Sequence, residues 1–339
     1  MGIVLSSLRP LALAAGLAAG STVVAVTVAA ALDLPLRDPD GIAGPAYVRL
    51  PGILLLFVLA DLVPRLVRRR TLDARAVLRE RWTRDRVLVV AVGLASFYAT
   101  YVSYRNLKGA LPFARPEVLD PALLELDRDL VLGQEPSTVL HDLLGTGVAA
   151  HLLSFVYLLF LAFVPLSLAA ALVWGRSTRI GAWYVTALCL NWLLGTASYY
   201  LVPSLGPVFV QPGLYADLPE TGVSALQRSL AGSRSEVLAD PTGADTISGI
   251  AGFASLHCSI VFTAALIAHL VGLHVAVRAA MWLFLALTML ATAYFGWHYL
   301  VDDVAGLAIG AASVAVAAWA TRERAHHVER PGRLLPEPA

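Results

Sequence analysis

Long apolar segments alternate with shorter polar ones along most of the chain. Eight of them are long and apolar enough to cross the hydrocarbon core of a bilayer, about 30 Å thick, as α-helices. The first could also be the apolar part of a cleaved signal peptide, but it is long for that role. The pattern therefore predicts an all-α, polytopic membrane protein with about eight transmembrane helices. The predicted spans cover residues 10–32, 47–67, 87–104, 148–174, 182–202, 253–272, 277–295 and 299–320.

The polar stretches between these spans divide the chain into regions. Residues 1–115 form an N-terminal transmembrane region with three spans, and residues 147–321 form a second one with a long polar outer loop at 203–252. Between them, residues 116–146 alternate acidic and leucine residues at helical spacing, which predicts amphipathic helices on the membrane surface. Residues 322–339 form a charged tail. The length of the outer loop suggests that the second region carries the function.

Composition supports the membrane assignment and excludes several other classes. The 339 residues are 58% hydrophobic and 14% charged, whereas soluble domains are roughly one-quarter charged. A net charge of +1 provides no basic field for nucleic acid. The two cysteines, Cys189 and Cys258, lie in apolar segments without the spacing of a metal site. We predict a lipid partner, no nucleic-acid partner, and no metal or other cofactor.

Arginine is concentrated in the polar stretch between the second and third spans. The positive-inside rule assigns this stretch to the cytoplasm. With eight spans, both termini are then cytoplasmic, and the sixth and eighth spans begin on the outer side. The arginine-rich, lysine-poor and alanine-rich composition is typical of a high-GC bacterial genome, so we expect a bacterial plasma membrane. The cluster comprises Arg65, Arg68, Arg69, Arg70, Arg75, Arg79, Arg81, Arg84 and Arg86.

Three ionisable residues mark the outer ends of the sixth and eighth spans. His298 and Asp302 are four residues apart, so a helix would place them on one face, where the carboxylate orients the imidazole. A histidine held in this way suits a nucleophile toward phosphorus, and His257 is available to protonate a leaving oxygen. A lone histidine at this depth is more often an interfacial side chain that reaches water. Three ionisable groups at one depth favour a functional site.

Two short motifs resemble signatures of the type 2 phosphatidic acid phosphatase superfamily. Ser255-Leu256-His257 is similar to its second motif, and the H-x-x-x-D from His298 to Asp302 is similar to its third. More narrowly, S-L-H followed by H-Y-x-x-D resembles the inositol phosphorylceramide synthase-like branch. The resemblance implies a phosphatase-type helix bundle in the last spans and a phosphohistidine mechanism. In that mechanism His298 is the nucleophile, Asp302 orients it, His257 is the general acid, and Ser255 binds phosphate oxygens.

The cations that neutralise the phosphate are expected elsewhere in the chain. The third motif of the superfamily usually has an arginine six residues before its histidine, where this chain has Thr292. The second motif is commonly P-S-G-H, where this chain has A-S-L-H. Lys108 through Pro116 fits the first motif, K-x-x-x-x-x-x-R-P, although about 140 residues separate it from the second. A proline-containing segment with Tyr199 and Tyr200 is an alternative lining. The candidate substrate-binding residues are Ser255, Lys108, Arg105, Arg115, Tyr200 and Arg228.

The leading hypothesis is an enzyme that removes or transfers a phosphoryl-containing group of a membrane lipid at the outer leaflet. The acceptor is water in a phosphatase and a lipid or polyol hydroxyl in a phosphotransferase, and the residues leave both open. A proton-coupled transporter is a second hypothesis, although such proteins usually hold their ionisable groups near the bilayer midplane. A non-catalytic membrane scaffold is a third, suggested by the missing arginine. A metal-dependent phosphatase is disfavoured because the histidines and aspartates match no metal-binding spacing.

Overall fold

The computed structural model describes residues 8–39, 44–70 and 73–321, and these residues form helices and connecting segments without a strand. The predicted tail at 322–339 lies outside the described residues. Short 3₁₀ turns occur at Arg9–Leu11 and Pro212–Tyr215. The α-helices, in chain order, are α1 (Ala12–Ala31), α2 (Ala46–Arg69), α3 (Ala74–Arg81), α4 (Arg84–Ala114), α5 (Asp120–Leu130), α6 (Pro136–Leu144), α7 (Val148–Trp174), α8 (Thr178–Leu201), α9 (Pro207–Val210), α10 (Gly222–Ala239), α11 (Leu256–Leu270), α12 (Val275–Tyr294) and α13 (Leu300–Thr321).

Seven helices of the described chain are long and apolar enough to span a membrane, namely α1, α2, α4, α7, α8, α12 and α13. Helix α11 is a shorter apolar helix of 15 residues. Each predicted span therefore corresponds to a helix, which confirms an all-helical, polytopic membrane protein. The third span was predicted to end at residue 104, but helix α4 continues to Ala114. The polar residues of its last turns face a pocket in the protein, so they do not mark the end of the helix.

Helix α8 lies at the centre of the bundle. In the most apolar stretch of α8, 78% of the residues are buried inside the protein. The corresponding share for α2, which lies at the periphery, is 6%. Asn191 on α8 is buried among the helices, and its amide donates to the Thr263 hydroxyl of α11 at 3.0 Å. The indole of Trp183 donates to the carbonyl of Val314 on α13 at 3.0 Å. These hydrogen bonds join the three helices that position the site, in a medium where unpaired polar groups are costly.

Two glycines allow α13 to approach α11 closely. A Cβ atom at Gly306 would overlap the carbonyl oxygen of Ser255, and one at Gly310 would lie 2.8 Å from the carbonyl oxygen of Ser259. Small residues four apart on one helix face are typical of close helix packing in membranes. Because of this packing, the first turn of α13 lies directly beside the first turn of α11. The motifs that contain His257 and His298 are thereby brought together.

The arginine-rich end of the bundle lies away from these histidines. Arg86, in the first turn of α4, donates to the carbonyls of Val173 at 2.7 Å and Gly175 at 3.0 Å, at the end of α7. Asp61 near the end of α2 forms ion pairs with Arg65 at 3.0 Å and Arg81 at 2.9 Å. The residues that the positive-inside rule assigns to the cytoplasm are therefore gathered at one end of the helices.

Candidate active site

The three ionisable residues singled out in the sequence form one continuous chain of contacts. Nδ1 of His257 lies 3.2 Å from Nε2 of His298, and Nδ1 of His298 lies 3.3 Å from Oδ2 of Asp302. His298 is 6% exposed and Asp302 is fully buried. The carboxylate accepts the hydrogen of His298 Nδ1, which leaves the lone pair of Nε2 pointing at His257. In this arrangement Nε2 of His298 accepts a hydrogen bond from Nδ1 of His257.

His298 reaches Asp302 from outside the helix. It lies in the link between α12 and α13, and α13 begins at Leu300. Oδ2 of Asp302 turns back to accept the backbone N–H of Tyr299 at 3.0 Å, as the third residue of a helix does in a capping box. The four-residue spacing thus produces the expected contact by a capping turn. One carboxylate oxygen both caps the helix and orients the imidazole.

Aromatic side chains of α7 hold the ring of His257. Its centroid lies 4.7 Å from that of Tyr157 and 4.4 Å from that of Phe160. Tyr157 stacks in turn on Trp297, the neighbour of His298, with centroids 5.0 Å apart and planes 7° from parallel. These contacts restrict both imidazoles and exclude water from one side of the pair. Nothing in the sequence distinguishes Tyr157 or Phe160 from ordinary residues of a membrane span.

Helix α5 supplies two buried carboxylates that support the histidine link. Asp120 accepts the backbone N–H of Leu205 at 3.0 Å and of Gly206 at 2.9 Å, and the hydroxyl of Tyr299 at 3.0 Å. Asp127 accepts the backbone N–H of Leu300 at 3.0 Å with both oxygens. A helix N-terminus favours such a negative partner. Helix α5, predicted as a surface helix, therefore clamps the start of α13.

A signal for these two carboxylates was present in the sequence. Asp120 and Asp127 are seven residues apart and share the face of α5 that buries Leu123 and Leu124. Acidic residues on the buried stripe of an amphipathic helix need partners inside the protein. What the sequence could not supply was the identity of those partners.

Asp127 and Tyr299, which hold the link between α12 and α13, have pKa values that differ from those of exposed side chains. Burial raises the pKa of Asp127 to about 7, and the backbone N–H of Leu300 only partly offsets it. Burial, reinforced by the Asp120 carboxylate, also raises the pKa of the Tyr299 hydroxyl. The Tyr299 hydroxyl therefore stays protonated and donates to Asp120. Asp127 changes its charge near neutral pH.

A pocket of about 250 Å³ opens at the histidine pair. His257 and His298 lie on its wall together with three cations, Arg49 of α2 and Arg105 and Lys108 of α4. The rest of the wall is mainly apolar or aromatic, and no Asp or Glu side chain lines it among the described residues. The ammonium of Lys108 lies 5.0 Å from the ring centroid of Tyr199. The site thus combines two imidazoles in contact with positively charged side chains, a combination suited to binding a phosphate group.

The other predicted binding residues lie outside this wall. Arg115 donates to the carbonyl of Tyr200 at 2.8 Å and is partly exposed, and the hydroxyl of Tyr200 donates to the carbonyl of Leu107 at 2.7 Å. Arg228 is exposed and forms a bidentate pair with Glu220 at 2.7 and 2.6 Å. The structure brings Lys108 and Arg105 to the histidines and leaves these three residues at the rim or on the surface.

Ser255 has a structural position beside the histidines. It is fully buried and caps α11, with its hydroxyl accepting the N–H of Cys258 at 3.4 Å. Its backbone N–H donates to the carbonyl of Asp302 at 2.9 Å. Ser255 thus joins the first turn of α11 to the first turn of α13. It is absent from the residues that line the pocket.

Thr292 lies at the position where the third motif of the superfamily usually has an arginine. It is fully buried, and its hydroxyl donates to Asp303 at 3.0 Å. The same carboxylate accepts the thiol of Cys258 at 2.9 Å. Asp303 is thereby occupied by structural contacts, whereas its neighbour Asp302 faces the imidazole. The cations of the pocket come instead from α2 and α4.

Fold and site together define a polytopic helical membrane protein with two contacting histidines, His298 buried and His257 half-buried, on the wall of a cation-lined pocket. A family model described as the PAP2 superfamily matches residues 121–316, more than half of the chain. The chain belongs to the PAP2 superfamily, whose members are generally phosphatase-like. Comparisons with curated proteins and with solved structures gave no match. The predicted superfamily is confirmed, and the narrower branch stays a prediction.

The matched range covers only part of the site. It includes His257, His298 and Asp302, but the cations Arg49, Arg105 and Lys108 precede it. The N-terminal helices therefore contribute all the positive charge that the described residues bring to the pocket wall. A protein reduced to residues 121–316 would lack these three cations.

Proposed function

We propose that this protein is a lipid-phosphate phosphatase or phosphotransferase that works at the outer leaflet through a phosphohistidine on His298. The observation that carries the proposal is the contact chain from His257 through His298 to Asp302 at the wall of a cation-lined pocket. Each member has one role in phosphoryl transfer. Asp302 orients His298, His298 attacks phosphorus, His257 exchanges protons, and Lys108 neutralises the phosphoryl oxygens.

In the first step the phosphoryl group enters between the two imidazoles, which opens the 3.2 Å contact between His257 and His298. A bond forms between Nε2 of His298 and phosphorus while the P–O bond to the leaving group breaks. The leaving oxygen keeps the bonding electron pair and takes a proton from the imidazolium form of His257. The ring of phosphorylated His298 carries positive charge, which the Asp302 carboxylate stabilises.

In the second step His257, now neutral, removes a proton from the acceptor hydroxyl. The acceptor oxygen attacks phosphorus, and the N–P bond breaks with its electrons returning to His298. Water as acceptor gives inorganic phosphate, and a lipid or polyol hydroxyl gives a new phosphorylated product. The S-L-H and H-Y-x-x-D motifs favour the transferase, and the superfamily favours the phosphatase.

The mainly apolar wall of the pocket supports a lipid as substrate. Leu161 on α7 lines the pocket and is 53% exposed on the lipid-facing side of the bundle. Leu50 and Ile53 of α2 line the same pocket. An acyl or polyprenyl chain fits between these helices with its phosphate at the histidines. The orientation proposed for a bacterial plasma membrane, with the site outside and both termini inside, follows from the arginine-rich end.

The decisive experiment measures phosphate release and lipid products by mass analysis, with the purified full chain in detergent. Phospholipids and polyprenyl phosphates serve as substrates, and wild type is compared with His298→Ala. His151→Ala, an exposed histidine of α7, is the matched control. We expect turnover in wild type and the control, and its loss in His298→Ala by at least about 10²-fold.

The product decides between the two reaction types. Free phosphate establishes a phosphatase, and a lipid with a new head group establishes a transferase. Identical behaviour of wild type and His298→Ala on every substrate would overturn the phosphohistidine proposal. In that case the transporter or the scaffold becomes the leading hypothesis.

A further inference from the structure

Another cavity, of about 320 Å³, lies at the arginine-rich end of the bundle, away from the histidines. None of the residues on its wall lines the pocket at the histidine pair. The cavity is therefore separate from the candidate active site, and the proposed function leaves it without a role. Its wall comprises Ala60, Asp61, Pro64, Arg65 and Arg68 near the end of α2, and Trp174 at the end of α7.

Ion pairs and a hydrogen bond hold the wall of this cavity in place. Asp61 contacts Arg65 at 3.0 Å and Arg81 of α3 at 2.9 Å. Arg81 also donates to the carbonyl of Val173, the residue before Trp174, at 2.8 Å. The end of α2 is thereby joined through α3 to the end of α7. The cavity thus has a braced wall and does not lie between loose helix ends.

The cavity has more positive charge than its own carboxylate balances. Arg65 and Arg68 on the wall and Arg81 behind Asp61 give three guanidinium groups against one carboxylate. Arg68 forms no ion pair among the described residues, and Arg65 uses only Nε and Nη2 for Asp61. Guanidinium N–H groups without partners are suited to the oxygens of a phosphate. An anionic ligand would balance the charge that Asp61 leaves over.

The surface beside the cavity is apolar and faces the lipid. Trp174 is 48% exposed, and its ring packs on that of Phe57 with centroids 4.4 Å apart. A partly exposed tryptophan at the end of a span is typical of the head-group region of a bilayer. Leu56 and Val63 lie on the same helix face as Ala60 and are both more than half exposed. The cavity is therefore continuous with a surface that acyl chains can cover.

We propose that this cavity binds the head group of an anionic phospholipid in the leaflet at the arginine-rich end of the bundle. Arg68 and Nη1 of Arg65 contact the phosphate, and the acyl chains lie along α2 beside Trp174. Positive charge near a membrane surface attracts anionic lipids in general, without a preferred place. A cavity with a braced wall predicts instead that particular residues decide the binding. The proposal does not depend on the proposed function.

Lipid retention, measured by native mass spectrometry, tests the site. The full chain carrying His298→Ala, which prevents turnover at the other end, is given equal amounts of phosphatidylglycerol and phosphatidylcholine in detergent. We expect phosphatidylglycerol to be retained at least about threefold more, and Arg68→Gln to remove most of this preference. Arg79→Gln is the matched control, because Arg79 is an exposed arginine of α3 that is absent from the wall. Equal losses in the two variants would overturn the cavity in favour of diffuse attraction.

Filling the cavity tests it without any change of charge. Ala60→Trp places a large side chain in the cavity and retains every arginine. Ala60 is exposed, so the variant should fold, which its melting temperature checks. We expect the preference for phosphatidylglycerol to fall as in Arg68→Gln. Val24→Trp, on the lipid-exposed side of α1, should retain the preference. A preference that survives Ala60→Trp would overturn the site.

A soluble anion separates a lipid head group from a free phosphate. Inorganic phosphate has no acyl chains to lie along α2, so it should not displace phosphatidylglycerol at the same concentration. Displacement at equal concentration would show that the cavity takes a free anion and would overturn the lipid assignment. None of these measurements uses turnover, so their outcome is independent of whether His298 proves to be a nucleophile.

Discussion

Both carboxylate oxygens of Asp127 accept the backbone N–H of Leu300 at 3.0 Å, across 173 residues of sequence. Leu300 begins α13 two residues after His298, so this contact fixes the start of the helix that carries Asp302. A residue of the amphipathic helix α5 thus determines where the candidate nucleophile is placed.

The Asp127 contact predicts a pH-dependent stability. Its pKa is about 7 in the folded protein, above the ordinary value near 3.9 of an unfolded chain, so the folded state holds this proton more tightly. The stability that the proton provides is complete below about pH 4 and is lost as the pH rises to about 7. Melting temperatures of wild type and Asp127→Asn in detergent between pH 5 and 8 test this. The melting temperature of wild type relative to Asp127→Asn should fall with rising pH.

Asp129→Asn is the control for this effect, because Asp129 is exposed on the same helix. It should follow the pH dependence of wild type. If Asp127→Asn follows wild type as closely as the control does, Asp127 does not titrate in this range.

Neighbouring aspartates should differ in their effect on catalysis. Asp302 orients His298, whereas Asp303 accepts Cys258 and Thr292. Asp302→Asn keeps the shape but weakens control of the imidazole tautomer, and we expect kcat to fall by about 10²- to 10⁴-fold. Asp303→Asn should lower the melting temperature and keep kcat within about tenfold. Equal losses of kcat would contradict the separate roles.

Lys108 and Arg115 should also differ, although both belong to the K-x-x-x-x-x-x-R-P pattern. Lys108 lines the pocket, and Arg115 contacts the carbonyl of Tyr200 at the partly exposed end of α4. We expect Lys108→Met to reduce kcat/KM by roughly tenfold to a hundredfold, and Arg115→Gln to change it by less than about threefold. A larger loss in Arg115→Gln would assign the phosphate to the rim.

Close packing at Gly306 should be sensitive to a single methyl group. Its Cβ atom would overlap the Ser255 carbonyl, so Gly306→Ala forces α13 away from α11 at an expected cost of about 1–3 kcal/mol. The melting temperature and activity should fall together, because the same contact brings the histidines together. Gly16→Ala on α1 has open space around its Cβ and should be neutral. Unchanged activity in Gly306→Ala would show that the packing has no part in placing the site.

A chelator should leave the activity intact. The proposed mechanism uses imidazole as nucleophile and acid, and the described residues contain no group of three or more His, Cys, Asp or Glu side chains that could hold a metal. Turnover with excess chelator, followed by addition of single divalent ions, tests this. Complete loss with rescue by one ion would overturn the phosphohistidine mechanism.

The sequence by itself determined the membrane-spanning elements, and it identified His257, His298 and Asp302 as candidates that the structure places in contact. Each span is identified by its own apolar residues, because burial in lipid depends on the segment and hardly on its neighbours. The contact between His298 and Asp302 is local as well, because residues four apart meet in the capping turn at the start of α13. The superfamily could also be recognised, since its motifs are short runs of adjacent residues.

Only the tertiary structure decided which charges meet the histidines. Arg105 and Lys108 look like the end of a span, yet α4 continues and turns them into the pocket. Arg49 carried no distinguishing local pattern, and the pattern that marks Asp127 as buried does not name its partner Leu300. Arg228 was a plausible ligand that is paired on the surface. Such contacts join segments far apart in sequence, and they depend on how whole helices pack, which no local pattern specifies.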